Sequence, residues 1–205
     1  MPIPYRIETP RLVLRCYQPA DAGLLKEAID ASLAHLQAWM PWARQEPSPL
    51  EAKIERLRRM RGEFDLDRDY TFGIFDPGET GLLGSTGLHT RLGPRELEIG
   101  YWVHVDHCGQ GYAGEAAAAL THVAFVWMEV QHVEIRCDPA NLASQAVPRR
   151  LGYRHENTLK GKELTPDGHP RDTMVWVMYR EDFENSGLAQ QKLRLFDATG
   201  ARLQS

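Results

Sequence analysis

"HVDHCGQGYAGEAAAALTHVAF", residues 104–125, sets Gly109, Gly111 and Gly114 within six residues, directly against an alanine-rich run. Glycine loses the most backbone freedom on ordering, whereas alanine is the best helix former. Their juxtaposition makes sense where bare backbone is wanted at the start of a helix. A helix N-terminus carries unpaired N–H groups and about half a positive charge, so it attracts anions. Glycines without Cβ atoms let a phosphate approach those amides and permit left-handed backbone angles. The stretch reads as a phosphate-binding turn between a strand and a helix. A tight turn without a ligand is the alternative.

Two nucleotide-binding loops can be compared with it. A Walker A loop ends in Gly-Lys-Ser/Thr, which is absent here. "GQGYAG" has the spacing of a dinucleotide loop, but that loop belongs to a series of parallel βαβ units. The upstream segments "YTFGIFDPGETGLLGSTGLHTR" and "RELEIGYWVHV" instead read as three strands joined by short turns. "RLVLRCY" gives an earlier strand, residues 18–36 a helix and residues 50–66 a second helix. The loop between these helices carries Trp39 and Trp42 among prolines. After the alanine-rich helix come "HVEIRC", the short helix "NLASQAVPRRL" and a final strand pair, "YRHENTLKGKEL" and "RDTMVWVMYR". The order predicts a single α/β domain with a mixed, mostly antiparallel central sheet flanked by helices. We place this domain at residues 1–184, followed by a tail, 185–205, in which "KLRLF" and "ARLQ" flank "DATG" as a small hairpin.

The 205 residues suffice for one sizeable core. A net charge of −4 with interspersed acids and bases leaves no footprint for nucleic acid. No apolar run is long enough to span a bilayer, and the first residues lack a signal-peptide core. Three cysteines make no disulfide framework, so a cytoplasmic location is expected. His104, His107 and Cys108 lie close together but lack a distant ligand pair, and no metal is expected.

Four stretches in one order carry a resemblance: "TPRLVLR", "LEIGYWVHVD", "CGQGYAGEA" and "NLASQAVPRRLGY". Together they resemble the GCN5-related N-acetyltransferases, and within them the RimJ/RimL-type protein N-terminal acetyltransferases, over about residues 8–179. The resemblance implies that amides of Cys108, Gly109, Gln110, Gly111, Tyr112, Ala113 and Gly114 bind the pyrophosphate of acetyl-CoA. Cys108 stands where this family has Gln or Arg; a grip made by backbone groups tolerates that change.

Acyl transfer from a thioester to an amine requires a neutral amine, donors for the carbonyl oxygen, and stabilisation of the departing thiolate. By resemblance, Ser144 lies near the sulfur, and Asn141 hydrogen-bonds the pantetheine arm or helps fix this loop; both residue types are also preferred at helix starts. Two carboxylates are candidates for the base: Glu163, whose spacing from Ser144 matches RimL-like enzymes, and Glu98, which matches a strand glutamate of other acetyltransferases. Either can also be a solvated strand carboxylate. The resemblance further implies that the strand "GYWV" supplies pantetheine contacts through Tyr101, Trp102 and Val103, with Val103 N–H as the candidate oxyanion donor; Tyr101 and Trp102 also suit a core. Trp39 and Trp42 line the acceptor side or pack. Pro148, inside the short helix, is expected to kink or shorten it.

The expected activity is transfer of an acetyl group from acetyl-CoA to a primary amine, a protein N-terminus or an amino-acid-like acceptor, by direct attack in a ternary complex. An α-amino group (pKa ~7.8) needs less assistance than a lysine amine (~10.4). An antibiotic or polyamine acceptor, or a non-catalytic CoA-binding module, are the alternatives. A homodimer is compatible with the sequence.

Overall fold

The computed structural model describes residues 3–165 and 167–204; the outermost residues of the expected domain and tail, Met1 and Ser205, lie outside them. The chain opens with a hairpin: Arg6–Glu8 (β1) pairs antiparallel with Val13–Cys16 (β2). Thr9 makes the turn, its Oγ1 accepting from Leu12 N–H at 3.0 Å. Sequence alternation predicted only the second of these strands, because β1 is three residues long.

The first expected helix is two, Ala22–Ala31 (α1) and Leu33–Trp39 (α2). Between them, Ser32 is buried, and its Oγ accepts from Val105 N–H at 2.9 Å. Helical structure persists through Trp39, and a 3-10 turn at Pro41–Gln45 replaces the expected irregular loop. Leu50–Asp65 (α3) follows, then Tyr70–Phe75 (β3), Leu82–Gly93 (β4) and Glu96–Val103 (β5). The alanine-rich helix, Tyr112–Val126 (α4), precedes His132–Cys137 (β6), Leu142–Leu151 (α5), Arg154–Leu164 (β7) and Pro170–Tyr179 (β8). Arg180–Glu184 (α6) and Arg194–Phe196 (β9) close the chain.

The strands form one sheet in the order β7-β8-β6-β5-β4-β3-β2-β1-β9, antiparallel except at β5–β6. Successive strand residues point to opposite faces. Val13 and Phe75 accordingly enter a core with Leu25, Ile29 and Leu57 from α1 and α3, while Leu14, Phe72 and Ile74 enter a larger core with α4. Every residue of α4 from Ala116 to Phe125 is buried. Four consecutive alanines permit close approach on all sides of this helix. The C-terminal segment covers part of it: Phe183 stacks on Phe125 at 4.6 Å, and His122 Nδ1 lies 2.9 Å from the Leu188 carbonyl oxygen. β9 then adds to the sheet beside β1, and Leu203 N–H returns to Leu195 O at 2.8 Å.

Candidate active site

The parallel ladder between β5 and β6 runs only from Glu96↔His132 to Ile99↔Ile135. β5 continues to Val103 and β6 to Cys137, but no pairing joins these ends among the described residues. β5 keeps an unbroken register with β4 from His89↔Glu98 to Gly84↔Val103, so it parts from β6 alone. His104 N–H bonds to Leu83 O, on the β4 side, at 2.8 Å. Alternation along the strand therefore turns the N–H groups of Tyr101 and Val103 toward the gap.

A cavity of about 680 Å³ opens at this gap. Of the residues nominated from sequence, Trp39, Trp42, Glu98, Tyr101, Trp102, Asn141, Ser144 and Glu163 line it. Val103 and the loop residues do not. Val103 is the last residue of β5, and the loop residues follow it, where the 3-10 turn Val105–His107 leads into α4.

In the loop, Gly109 (φ 76°) and Gly111 (φ 83°) are left-handed, a conformation costly for residues with a Cβ. The main-chain N–H groups of residues 109–114 find no protein acceptor among the described residues; the first helical bond is Glu115 N–H to Gly111 O at 3.0 Å. A Cβ at Gly114 would meet no atom within 4 Å, so packing does not explain that glycine. Six free amides in sequence, two left-handed glycines and a bare helix start fit a diphosphate.

The front signature has a structural role that sequence reasoning missed. Arg11 Nε bonds to Glu115 Oε2 at 2.6 Å, and Thr9 Oγ1 bonds to Glu115 Oε1 at 2.6 Å. Arg11 NH1 also reaches Gln110 O at 3.0 Å, and its guanidinium lies over the Tyr112 ring at 4.9 Å. "TPR", in the turn between β1 and β2, thus clamps the glycine turn from about a hundred residues away in sequence. Cys108 Sγ lies near the carbonyl oxygens of His104 (3.6 Å) and Val103 (3.9 Å) and 3.8 Å from His35 Nε2, and burial pushes its thiol pKa up. A thiol held protonated is poorly suited to nucleophilic work.

Asn141 caps α5: its Oδ1 accepts from Ser144 N–H at 3.0 Å. This leaves the Ser144 side chain available. Tyr101 OH donates to Ser144 O at 3.1 Å and lies 3.2 Å from Ser144 Oγ. Pro148 explains that contact. In an α-helix the amide of residue 148 would bond to the carbonyl of residue 144, and proline has no N–H. α5 nevertheless runs from Leu142 to Leu151, so the expected shortening does not occur. The Ser144 carbonyl is passed to the tyrosine instead. Burial, opposed by the Ser144 bond, pushes the Tyr101 phenol up and keeps it protonated.

The two glutamates differ sharply. Glu98 is buried; Arg91 bonds to both its oxygens, one through Nε at 2.9 Å, and Arg136 Nε lies 3.7 Å away. Glu163, on β7, is exposed and has no ion-pair partner within 4 Å among the described residues. Trp42 approaches Trp102 with ring centroids 6.2 Å apart. The aromatic segment is tied across the cavity: Arg171 donates to Trp39 O at 3.0 Å while paired with Asp138 at 3.2 Å, and Arg44 donates to Leu164 O at 2.6 Å. These arginines gave no motif signal in the sequence, because their partners are carbonyls and distant acids.

Residues 11–154 match the family model described as "Acetyltransferase (GNAT) domain". The chain belongs to the GNAT acetyltransferase family. This GNAT chain is 29% identical over 138 residues to the ribosomal-protein-serine acetyltransferase of Escherichia coli (strain K12), covering 65% of this chain and 75% of that protein. It is 25% identical over 175 residues to the uncharacterized N-acetyltransferase YoaA of Bacillus subtilis (strain 168), covering 85% and 96%. Among solved structures, Mycobacterium smegmatis RimJ in complex with CoA-disulfide superposes with a TM-score of 0.75 at 25% identity, covering 91% of this chain and 90% of that one. The chain is therefore an N-acetyltransferase of the RimJ/RimL-like kind, on a mostly antiparallel sheet flanked by helices. Among the described residues no helix is long and apolar enough to cross a membrane, and no cluster of three or more His, Cys, Asp or Glu side chains could hold a metal.

Proposed function

We propose that this GNAT enzyme works in the cytoplasm, transferring an acetyl group from acetyl-CoA to the α-amino group of a polypeptide by direct attack within a ternary complex. One observation carries the reading: the parting of β5 from β6 opens a cavity that gathers Tyr101, Ser144, Glu163 and the two tryptophans. The relatives named for acetylation of ribosomal proteins support a polypeptide acceptor.

Acetyl-CoA supplies the activated thioester. The amides of residues 109–114 hold its diphosphate, and Arg11 adds positive charge beside them. Val103 and Tyr101 N–H groups face the gap and serve the pantetheine arm and the carbonyl oxygen as it gains charge. At pH 8 more than half of α-amino groups are already neutral, given a pKa of ~7.8. As the new C–N bond forms and the C–S bond breaks, Glu163 takes the proton released by the amine, directly or through water. Ser144 Oγ–H, which rests against Tyr101 OH, turns to donate a hydrogen bond to the departing sulfur. A serine hydroxyl is far less acidic than a thiol (~8.5), so the sulfur regains its proton from solvent. Glu98, held by two arginines, keeps β4, β5 and β6 in register rather than accepting that proton.

A thiol-release assay with acetyl-CoA and a panel of peptides, amino acids and polyamines tests the proposal. Faster turnover of peptides with free N-termini than of N-blocked, lysine-bearing peptides is expected. Turnover confined to polyamines would refute the acceptor assignment.

A further inference from the structure

We infer that the acceptor carries a carboxylate close to its reacting amine, and that Arg56 holds it; this rests on the amine-acetylation reading above. Most charged groups around the cavity are matched within the protein. Arg91 is engaged by Glu98, Arg136 by Glu134 at 2.8 Å, Arg171 by Asp138, and Asp172 by Lys160 at 2.7 Å. Lys162 also lines the cavity, but it is exposed, where water screens its charge. Arg56 is different.

The carboxylate nearest to Arg56 is Glu46, 3.6 Å from its NH1. Glu46 is already committed: it forms an ion pair with the fully buried Lys53 and accepts from Ser48 N–H at 2.7 Å. Burial alone would raise the Glu46 carboxyl, but the Lys53 and Ser48 bonds outweigh it and hold the group ionised. Two cations therefore share one carboxylate, leaving a net positive charge behind the cavity wall. Arg56 is about two-thirds buried, and its guanidinium carbon sits 4.9 Å from the centroid of the Trp42 ring. This cation–π contact leaves edge N–H groups for a carboxylate, which a guanidinium can meet in a two-pronged fashion. Burial holds the Arg56 pKa below the usual arginine range, the mark of a cation short of compensation.

The surrounding shape favours a chain. A second cavity, of about 500 Å³, shares Arg56, Met60, Thr71, His89 and Arg91 with the first and continues past Arg59, Glu63 and Asp69, so its outer part carries charges of both signs. Arg59 has no carboxylate within 4 Å among the described residues. A polypeptide whose amine reaches the β5–β6 gap can place an early acidic side chain on Arg56 and leave along this groove. A free dicarboxylic amino acid offers the same chemistry without the exit.

The test compares peptides that differ only by Glu or Gln at the second, third or fourth position, together with free glutamate and glutamine. In the native enzyme at least one Glu peptide should exceed its Gln partner in kcat/KM by about ten- to a hundredfold, the range for a hydrogen-bonded charge. Arg56→Gln should bring that ratio toward one, and Arg56→Lys should keep part of it, in proteins with native circular dichroism and native CoA affinity. A preference for glutamate over glutamine equal to that for the peptides would assign the carboxylate to a small acceptor. If nothing in the panel is acetylated, peptide titrations of the CoA complex followed by tryptophan fluorescence read the same ratio as a binding ratio. Equal treatment of Glu and Gln ligands by the native protein, or a ratio preserved in Arg56→Gln, would overturn the inference.

Discussion

Removing one oxygen, in Tyr101→Phe, tests how Ser144 is held. The tyrosine donates to Ser144 O at 3.1 Å and touches Ser144 Oγ at 3.2 Å, in a helix whose amide at residue 148 is missing. Phenylalanine would leave that carbonyl without its tyrosine donor, at a cost of about 1–3 kcal/mol. Pro148→Ala should change this figure. The restored N–H lies one helical turn beyond Ser144 and supplies the carbonyl with the donor an α-helix normally provides. In the Pro148→Ala background, Tyr101→Phe should cost only about 0.5–1 kcal/mol. The pair should thus show a coupling of about 0.5–2 kcal/mol, against the ~0.3–0.5 kcal/mol scatter of independent sites. Urea unfolding of the four proteins measures it, provided the slope with denaturant stays constant across the set. Pro148→Ala taken alone is uninformative, because gain in helix propensity and loss of buried ring act in opposite directions.

Turnover separates the second role of the same hydroxyl. Tyr101→Phe also frees the Ser144 side chain to rotate away from the gap, and kcat should fall about tenfold, equivalent to ~1.4 kcal/mol. Pro148→Ala repairs the carbonyl but not the hydroxyl, so it should restore stability without restoring kcat. Additive stabilities would refute the idea that the proline passes the carbonyl to the tyrosine. Rescue of kcat by Pro148→Ala would refute the orienting role.

Three further outcomes follow from the site. Glu163→Gln should lower kcat/KM by about a hundredfold or more while calorimetry gives an unchanged affinity for CoA; normal turnover would remove Glu163 from the proton path. Glu98→Gln should act mainly on stability, by about 1–3 kcal/mol in urea, because it leaves Arg91 and Arg136 short of their shared carboxylate; a large kcat loss in a fully folded protein would return Glu98 to the reaction. Gly111→Val forces a β-branched residue to φ 83° at the start of α4 and should abolish measurable CoA binding; a normal calorimetric titration would contradict the diphosphate assignment.

What the sequence disclosed, and what it hid, divides along a physical line. Local requirements were readable. The glycines at 109, 111 and 114, the long alanine helix and the alternating strands each leave a pattern within a few residues. The Asn141 cap was visible for the same reason. Long-range pairings were not. Arg11 with Glu115, Arg171 with the Trp39 carbonyl, and Arg91 with Glu98 join positions whose spacing carries no periodicity. β1 and β9, at three residues each, are too short for alternation to register. Pro148 was visible, but the shortening expected of it does not occur, and its effect on the Ser144 carbonyl depends on a tyrosine that folding brings there.

This division bears on Cys108, the position where the loop departs from its family. The free amides at residues 109–114 belong to the backbone, and their geometry is set by two left-handed glycines and by the Arg11–Glu115 clamp. Neither device uses the residue at 108, whose sulfur faces back toward the carbonyls of residues 103 and 104. The cofactor half of the site can therefore lose a side chain and keep its shape. The acceptor half is built the opposite way, from side chains of α2, α3, β7 and β8 held by individual arginine contacts. On the proposed function, small changes there should redirect which amine is presented without altering how acetyl-CoA is held. Acceptor specificity should accordingly follow Arg56, Trp42 and the residues that tie down Trp39, and should be insensitive to Cys108.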